Sequence, residues 1–240
     1  MKLDILAIGA HPDDVELSCS GTLMKHIDLG YKVGILDLTK GELGTRGSAE
    51  IRLQESEDST KILGVHVRQN LGFADGFFTN DKDHQIEVIK VLRKYQPNIV
   101  LANAKHDRHP DHGRAAELIY NACFLAGLSK IETKLNGQTQ TACRPSAVYN
   151  YIQSVHIEPD FVVDISAWFQ RKLEAIGAFK SQFHHNQANT NEAQTFISSP
   201  QFMEFVTARA LHFGIPIGVK YAEAFTVNRT LGVNDLTKLL

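Results

Sequence analysis

Two short apolar runs in this chain end abruptly in clusters of histidine and aspartate, and that pairing limits the folds open to it. Leu6-Ala7-Ile8 breaks at Gly9 into Ala10-His11-Pro12-Asp13-Asp14-Val15-Glu16, and Ile99-Val100-Leu101-Ala102 leads within a few residues to His106-Asp107-Arg108-His109-Pro110-Asp111-His112. An apolar run of this length, closed by a breaker, suits a strand buried on both faces of a parallel sheet. In open α/β sheets, ligands bind in the crevice beyond the carboxyl ends of the strands. Both clusters therefore fall where chemistry is expected.

The intervening sequence supplies the helices such a sheet needs. Residues 16–29 place Leu17, Leu23, Met24 and Ile27 at helical spacing and stop at Gly30. Residues 33–38 read as a second strand, followed by Thr39-Lys40-Gly41-Glu42-Leu43-Gly44-Thr45-Arg46-Gly47, a glycine-rich loop suited to folding over a ligand. Ser48 is a candidate N-cap for a helix to Leu63 closed by Gly64, so polar that one face must be wet or line a site. Residues 67–71 read as a third strand with Asp75-Gly76 as a turn after it, and Ile86, Ile89 and Leu92 mark a helix that stops before Pro97. With residues 99–103 as the fourth strand, the doubly wound order 3-2-1-4-5 makes strands 1 and 4 neighbours across the switch point. The two clusters would then face one crevice.

Beyond the second cluster, residues 113–126 form an amphipathic helix, 129–145 a surface connection, and 147–153 and 160–165 further strands. Ser166 is read as the cap of a helix to Phe179, residues 181–195 as a mobile polar loop, 202–213 as a last helix, and 222–227 as an edge strand. The expected fold is α/β and Rossmann-like, a mostly parallel sheet flanked by helices in three layers. Residues 1–240 are expected to form one domain, since α/β domains run to about 200–250 residues.

A catalytic zinc site takes about three ligands from His, Asp, Glu or Cys and keeps a further position for water. His11 and a neighbouring aspartate from the first cluster, with His112 from the second, supply such a set. The sequence by itself does not tell Asp13 from Asp14. The spare aspartate is then free to act as general base. His109 is free to donate a proton or stabilise an oxyanion, with Asp111 or Asp107 near enough in sequence to orient its ring. Taken singly, a loop histidine beside proline is an ordinary surface residue, and paired aspartates after a strand are ordinary helix caps. The coincidence of two clusters at adjacent strand ends favours a metal site.

Ala10-His11-Pro12-Asp13-Asp14-Val15-Glu16 and His109-Pro110-Asp111-His112 resemble the two signature motifs of the PIG-L (LmbE-like) zinc-dependent deacetylases, which act on N-acetylglucosamine-type substrates. The likeness continues through the glycine-rich loop, Glu50, Arg52 and Glu55 to about Phe225, and the loop is similar to the bacillithiol branch that deacetylates N-acetylglucosaminyl malate. The resemblance implies His11, Asp14 and His112 as zinc ligands, Asp13 as base and His109 as the charged partner of the oxyanion. It places Arg52 in the substrate pocket and offers Arg108 for a malate carboxylate, where a surface ion pair is the ordinary alternative for each. Around Phe202 the chain has phenylalanine where some relatives bring a tyrosine to the oxyanion. By analogy with the family, a homo-oligomer is expected.

Several classes are disfavoured. A net charge of −2 and a pI near 6.6 give no electrostatic footprint for nucleic acid or an anionic membrane. No apolar run reaches the ~18 residues of a membrane span, and an acidic N-terminus with three scattered cysteines points to a cytoplasmic protein. A nucleotide-dependent oxidoreductase would share the fold, but the first turn lacks GxGxxG and offers carboxylates where a pyrophosphate would sit. The remaining alternatives are a deacetylase of another N-acetylglucosamine-containing substrate and a non-catalytic metal-binding protein, which would have no need of the spare aspartate and histidine. His184 and His185, adjacent and so divergent in direction, read as a solvated loop rather than a second site.

Overall fold

The computed structural model describes residues 1–183 and 194–239, so the expected loop at 181–195, with His184 and His185, lies mostly outside the described residues. Strands and helices alternate in the first half: β1 (Ile5–Gly9), α1 (Asp14–Asp28), β2 (Val33–Thr39), α2 (Ala49–Leu63), β3 (Val67–Phe73), α3 (Lys82–Tyr95), β4 (Ile99–Ala102) and α4 (Pro110–Ala126). A small hairpin, β5 (Lys134–Leu135) and β6 (Gln138–Thr139), precedes β7 (Ala147–Tyr151), β8 (Phe161–Asp164), α5 (Phe169–Gly177), α6 (Pro200–Gly214) and β9 (Ala222–Val227).

The main sheet runs β3-β2-β1-β4-β7-β9-β8, with β3 through β7 parallel and β9 antiparallel to both its neighbours. The alternation of β1 shows why its sequence is apolar throughout. Leu6 and Ile8 pack with Val88, Leu92, Leu118 and Ile119 of α3 and α4, whereas Ile5 and Ala7 pack with Val15, Cys19, Leu63 and Ala175 of α1, α2 and α5. Both faces are covered, giving the three layers expected of such a sheet.

The helix ends follow local chemistry. Ser48 caps α2 by accepting from the Ile51 amide, and Gly64 closes it at φ 74°. Three expectations need correction. α4 starts at Pro110, not Gly113, because proline is tolerated in a first turn and His109 caps the helix with its ring. α5 starts at Phe169, since Ser166 binds Asp164 instead of capping. Residues 222–227 form an interior strand, β9, seated between β7 and β8; the edge is β8.

The C-terminal third reaches into α1 itself. Glu223 of β9 accepts from the amides of Gly21 (3.0 Å) and Thr22 (2.6 Å), and the carbonyl of Leu17 accepts from Lys172 (3.0 Å) and Arg209 (2.5 Å). Gly21 permits the close approach: a Cβ there would lie 2.8 to 2.9 Å from three atoms of fully buried Ile165. Gly21→Ala should therefore destabilise the protein by about 1–3 kcal/mol of overpacking, despite a gain in helix propensity of ~1 kcal/mol. Urea unfolding measures this, and a more stable variant would contradict the packing.

Candidate metal centre and active site

The switch point brings the two clusters together. α1 and α4 begin just beyond β1 and β4, so their N-termini, favourable to carboxylates, converge on one crevice. The ring centroids of His11 and His112 are 5.6 Å apart, and His109 lies 4.7 and 5.2 Å from them. Asp14 sits between the first two: its Oδ2 is 3.5 Å from His11 Nδ1 and its Oδ1 3.1 Å from His112 Nε2.

Each of those imidazoles has its other nitrogen on a carboxylate. His11 Nε2 lies 3.0 Å from Asp75 and 3.4 Å from Asp111, and His112 Nδ1 lies 2.5 Å from Asp107. Asp107 is itself held by the amides of Ser154 and Val155. A carboxylate behind a ligating histidine fixes its tautomer and raises its basicity. Asp14 is fixed in turn by the His11 amide (2.9 Å) and by two buried side-chain amides, Asn103 and Gln153, each at 3.0 Å.

The electrostatics call for a cation. Burial opposes protonation of His11, yet Asp111, Asp14 and Asp75 hold its pKa well above the ordinary value. Against the same burial, Asp14 and Asp107 lift His112 to about 9. Asp14 lies well below the usual carboxylate range because His112 and His11 outweigh its desolvation. Four aspartates surrounding two imidazoles in a buried crevice are a donor set that a divalent cation would balance. Among the described residues, the groups whose ligating atoms all lie within 4.8 Å of one another are His11 with His109 and His112, and His11 with Asp75 and Asp111; Asp14 lies against two of these histidines, His11 and His112.

Asp13 occupies the N-cap position of α1 but does not cap it. Its backbone is held at φ 130°, a strained region for a residue with a Cβ, costing of order 1–3 kcal/mol. Its Oδ2 accepts from Arg52 at 2.7 Å, and among the described residues its Oδ1 takes no hydrogen bond. Burial pushes this carboxyl up to about 6 against the pull of Arg52. Arg52, expected to meet substrate, is thus engaged with Asp13 and close to the Gly41 carbonyl while still facing the cavity. The polar α2 is explained by the same burial: Ser59 and Arg68 both bond Glu16, and Glu55 bonds Ser181.

Neither aspartate expected to orient His109 does so. Asp111 accepts from the Gly76 amide and Arg114 and faces His11, while Asp107 orients His112. The reason is that His109 turns its Nδ1 onto the Asp111 amide at 3.2 Å to cap α4, so a neutral ring carries its proton on Nε2. Burial lowers the pKa of His109. Arg108 is exposed, with its guanidinium 4.7 Å from the ring of Phe196 at the cavity mouth. Asp75, Asn103 and Gln153 were not singled out from sequence as site residues. Each stands one or two positions past the end of a strand, and that placement was the available signal.

The crevice holds a cavity of about 330 Å³ reached by His11, Asp13, His109, Arg108 and Phe202. A buried His/Asp donor set at the switch point of a parallel sheet, beside a spare carboxylate and a spare imidazole, defines a metal-dependent hydrolase. Residues 6–123 match the PIG-L family, described as GlcNAc-PI de-N-acetylase. The chain is 30% identical to diacetylchitobiose deacetylase of Thermococcus kodakarensis over 91% of its own length and 80% of that protein's. It is 26% identical to a probable N-acetyl-alpha-D-glucosaminyl L-malate deacetylase 2 of Bacillus cereus, covering 76% and 84% of the two chains. The crystal structure of a conserved protein from Thermus thermophilus superposes with a TM-score of 0.85 at 35% identity, over 97% of this chain and 98% of that one. The chain belongs to the PIG-L family and is an N-deacetylase. The family match ends at Cys123, so Gln153 and Arg209 lie beyond it.

If His11 is a ligand, His11→Ala should bind less than a tenth of the metal of the parent protein after dialysis, by elemental analysis. Full occupancy would remove His11 from the centre.

Proposed function

We propose that this chain is a zinc-dependent deacetylase of an N-acetylglucosaminyl glycoside, with N-acetylglucosaminyl malate of bacillithiol synthesis as its substrate, and that His11, Asp14 and His112 hold the metal. The observation that carries this ligand set is the shared orientation of the two imidazoles, each with one nitrogen backed by a carboxylate and the other toward Asp14. A zinc ion there would supply Lewis acidity and acidify a water at neutral pH.

The chain's own residues account for the proton transfers. Asp13, with Oδ2 pinned by Arg52, offers Oδ1 to take a proton from the attacking water. Its pKa near 6 suits a base at neutral pH. His109 donates an Nε2–H hydrogen bond to the developing oxyanion, and the proton taken by Asp13 passes to the departing amine. Collapse of the tetrahedral intermediate gives acetate and a free amino sugar. The strain at Asp13 and its refusal to cap α1 favour a catalytic over a capping role.

The malate assignment is supported by Arg108, which among the described residues makes no ion pair and stands at the mouth of the cavity, and by the form of the glycine-rich loop. A guanidinium at the rim suits a carboxylate on the aglycone. Asp13→Asn should retain zinc and lose turnover by roughly 10²–10⁴-fold; turnover at the parent rate would remove Asp13 as the base. Free-amine detection with N-acetylglucosaminyl malate, N,N'-diacetylchitobiose and N-acetylglucosamine should favour the first. Arg108→Ala should raise KM for the malate glycoside alone, by roughly 10-fold or more for a lost charge-assisted hydrogen bond. Preference for diacetylchitobiose would overturn the malate assignment and leave the deacetylase intact.

A further inference from the structure

Arg209 is a half-buried guanidinium whose hydrogen bonds go to backbone. Its Nη1 donates to the carbonyl of Gln153 and its Nη2 to the carbonyl of Leu17, and among the described residues it forms no ion pair. Burial disfavours its charge and the carboxylates of Glu223 and Asp107 offset this from beyond ion-pair distance, so the contacts that fix the side chain are the two carbonyls. The two carbonyls it joins are not equivalent pieces of scaffold. Leu17 belongs to α1, one turn after Asp13 and Asp14, while Gln153 lies just past β7 and donates its side-chain amide to Asp14 Oδ1. Gln153 also accepts from Asn103, whose amide bonds the other oxygen of Asp14.

We propose that Arg209 and Gln153 form a positioning relay that sets the Asp14 carboxylate for the metal, with Arg209 strapping α1 to the strand end that carries Gln153. This rests on the assignment of Asp14 as a ligand. One guanidinium fork spans both attachment points of that carboxylate: the helix its backbone belongs to and the amide that holds its oxygen. Arginine suits the task because its planar fork reaches two acceptors in fixed geometry, which an ammonium does not. Asp14 receives two neutral amide donors, so its negative charge is oriented without being neutralised, and it remains available to a cation.

The test measures zinc affinity of the apo-protein by competition with a chromophoric chelator, independently of turnover. Gln153→Met, similar in length but unable to donate, and Arg209→Lys should each weaken zinc binding by roughly 10–100-fold, as loss of an outer-shell partner does. Val206→Ala, which loosens the packing of the same helix in its apolar cluster, is the structural control and should leave zinc affinity unchanged. Parent-like affinity in folded Gln153→Met or Arg209→Lys would overturn the relay, as would an equal loss in Val206→Ala. If Gln153→Met does not fold, Arg209→Lys decides. Loss of zinc binding in Asp14→Asn separates the relay from its premise: if Asp14→Asn binds zinc as the parent does, the ligand assignment fails first.

Discussion

Asp14 holds a negative charge at a place almost sealed from water, and much of the chain is arranged around it. Its carboxylate is 4% exposed and meets a backbone amide, two side-chain amides and two imidazoles. A buried anion is tolerated only when its lone pairs are satisfied and opposite charge is close. Here the donors come from β4, β7, α4 and the start of α1, so the ionised form of one residue depends on the correct closure of the whole central sheet.

The parallel topology makes that convergence inexpensive. Because β1 and β4 are neighbours and their helices leave on opposite faces, the residues following both strands face one crevice without long excursions. The C-terminal third then closes the site from the other side. β9 inserts antiparallel between β7 and β8, bringing Glu223 to the amides of α1, while α6 sends Arg209 to Leu17 and Gln153. At the site the backbone strain falls on Asp13, whose unfavourable conformation is held by the helix that follows and by the ion pair with Arg52.

What the amino-acid sequence revealed depended on how locally each feature is encoded. The alternation of strands and helices, the cap at Ser48, the stop at Gly64 and the neighbourhood of β1 and β4 were legible, since each rests on short-range pattern or a topological rule. The histidines and aspartates of the two clusters were legible because they crowd together. Asp75, Asn103, Gln153 and Arg209 were not, being single polar residues whose meaning comes from partners distant in sequence, 64 positions away for His11 and Asp75 and 139 for Asp14 and Gln153. The reading of Asp111 as the partner of His109 failed for the opposite reason. Sequence proximity suggested a contact that the capping geometry of α4 precludes.

The most direct measurement is anomalous diffraction at the zinc edge from a crystal of the metal-loaded protein. The account predicts one ion bonded by His11, Asp14 and His112 at roughly 2.0–2.2 Å, with Asp75 and Asp107 behind the two histidines and not on the metal. An ion held instead by His11, Asp75 and Asp111, or one that leaves Asp14 without a metal bond, would contradict it.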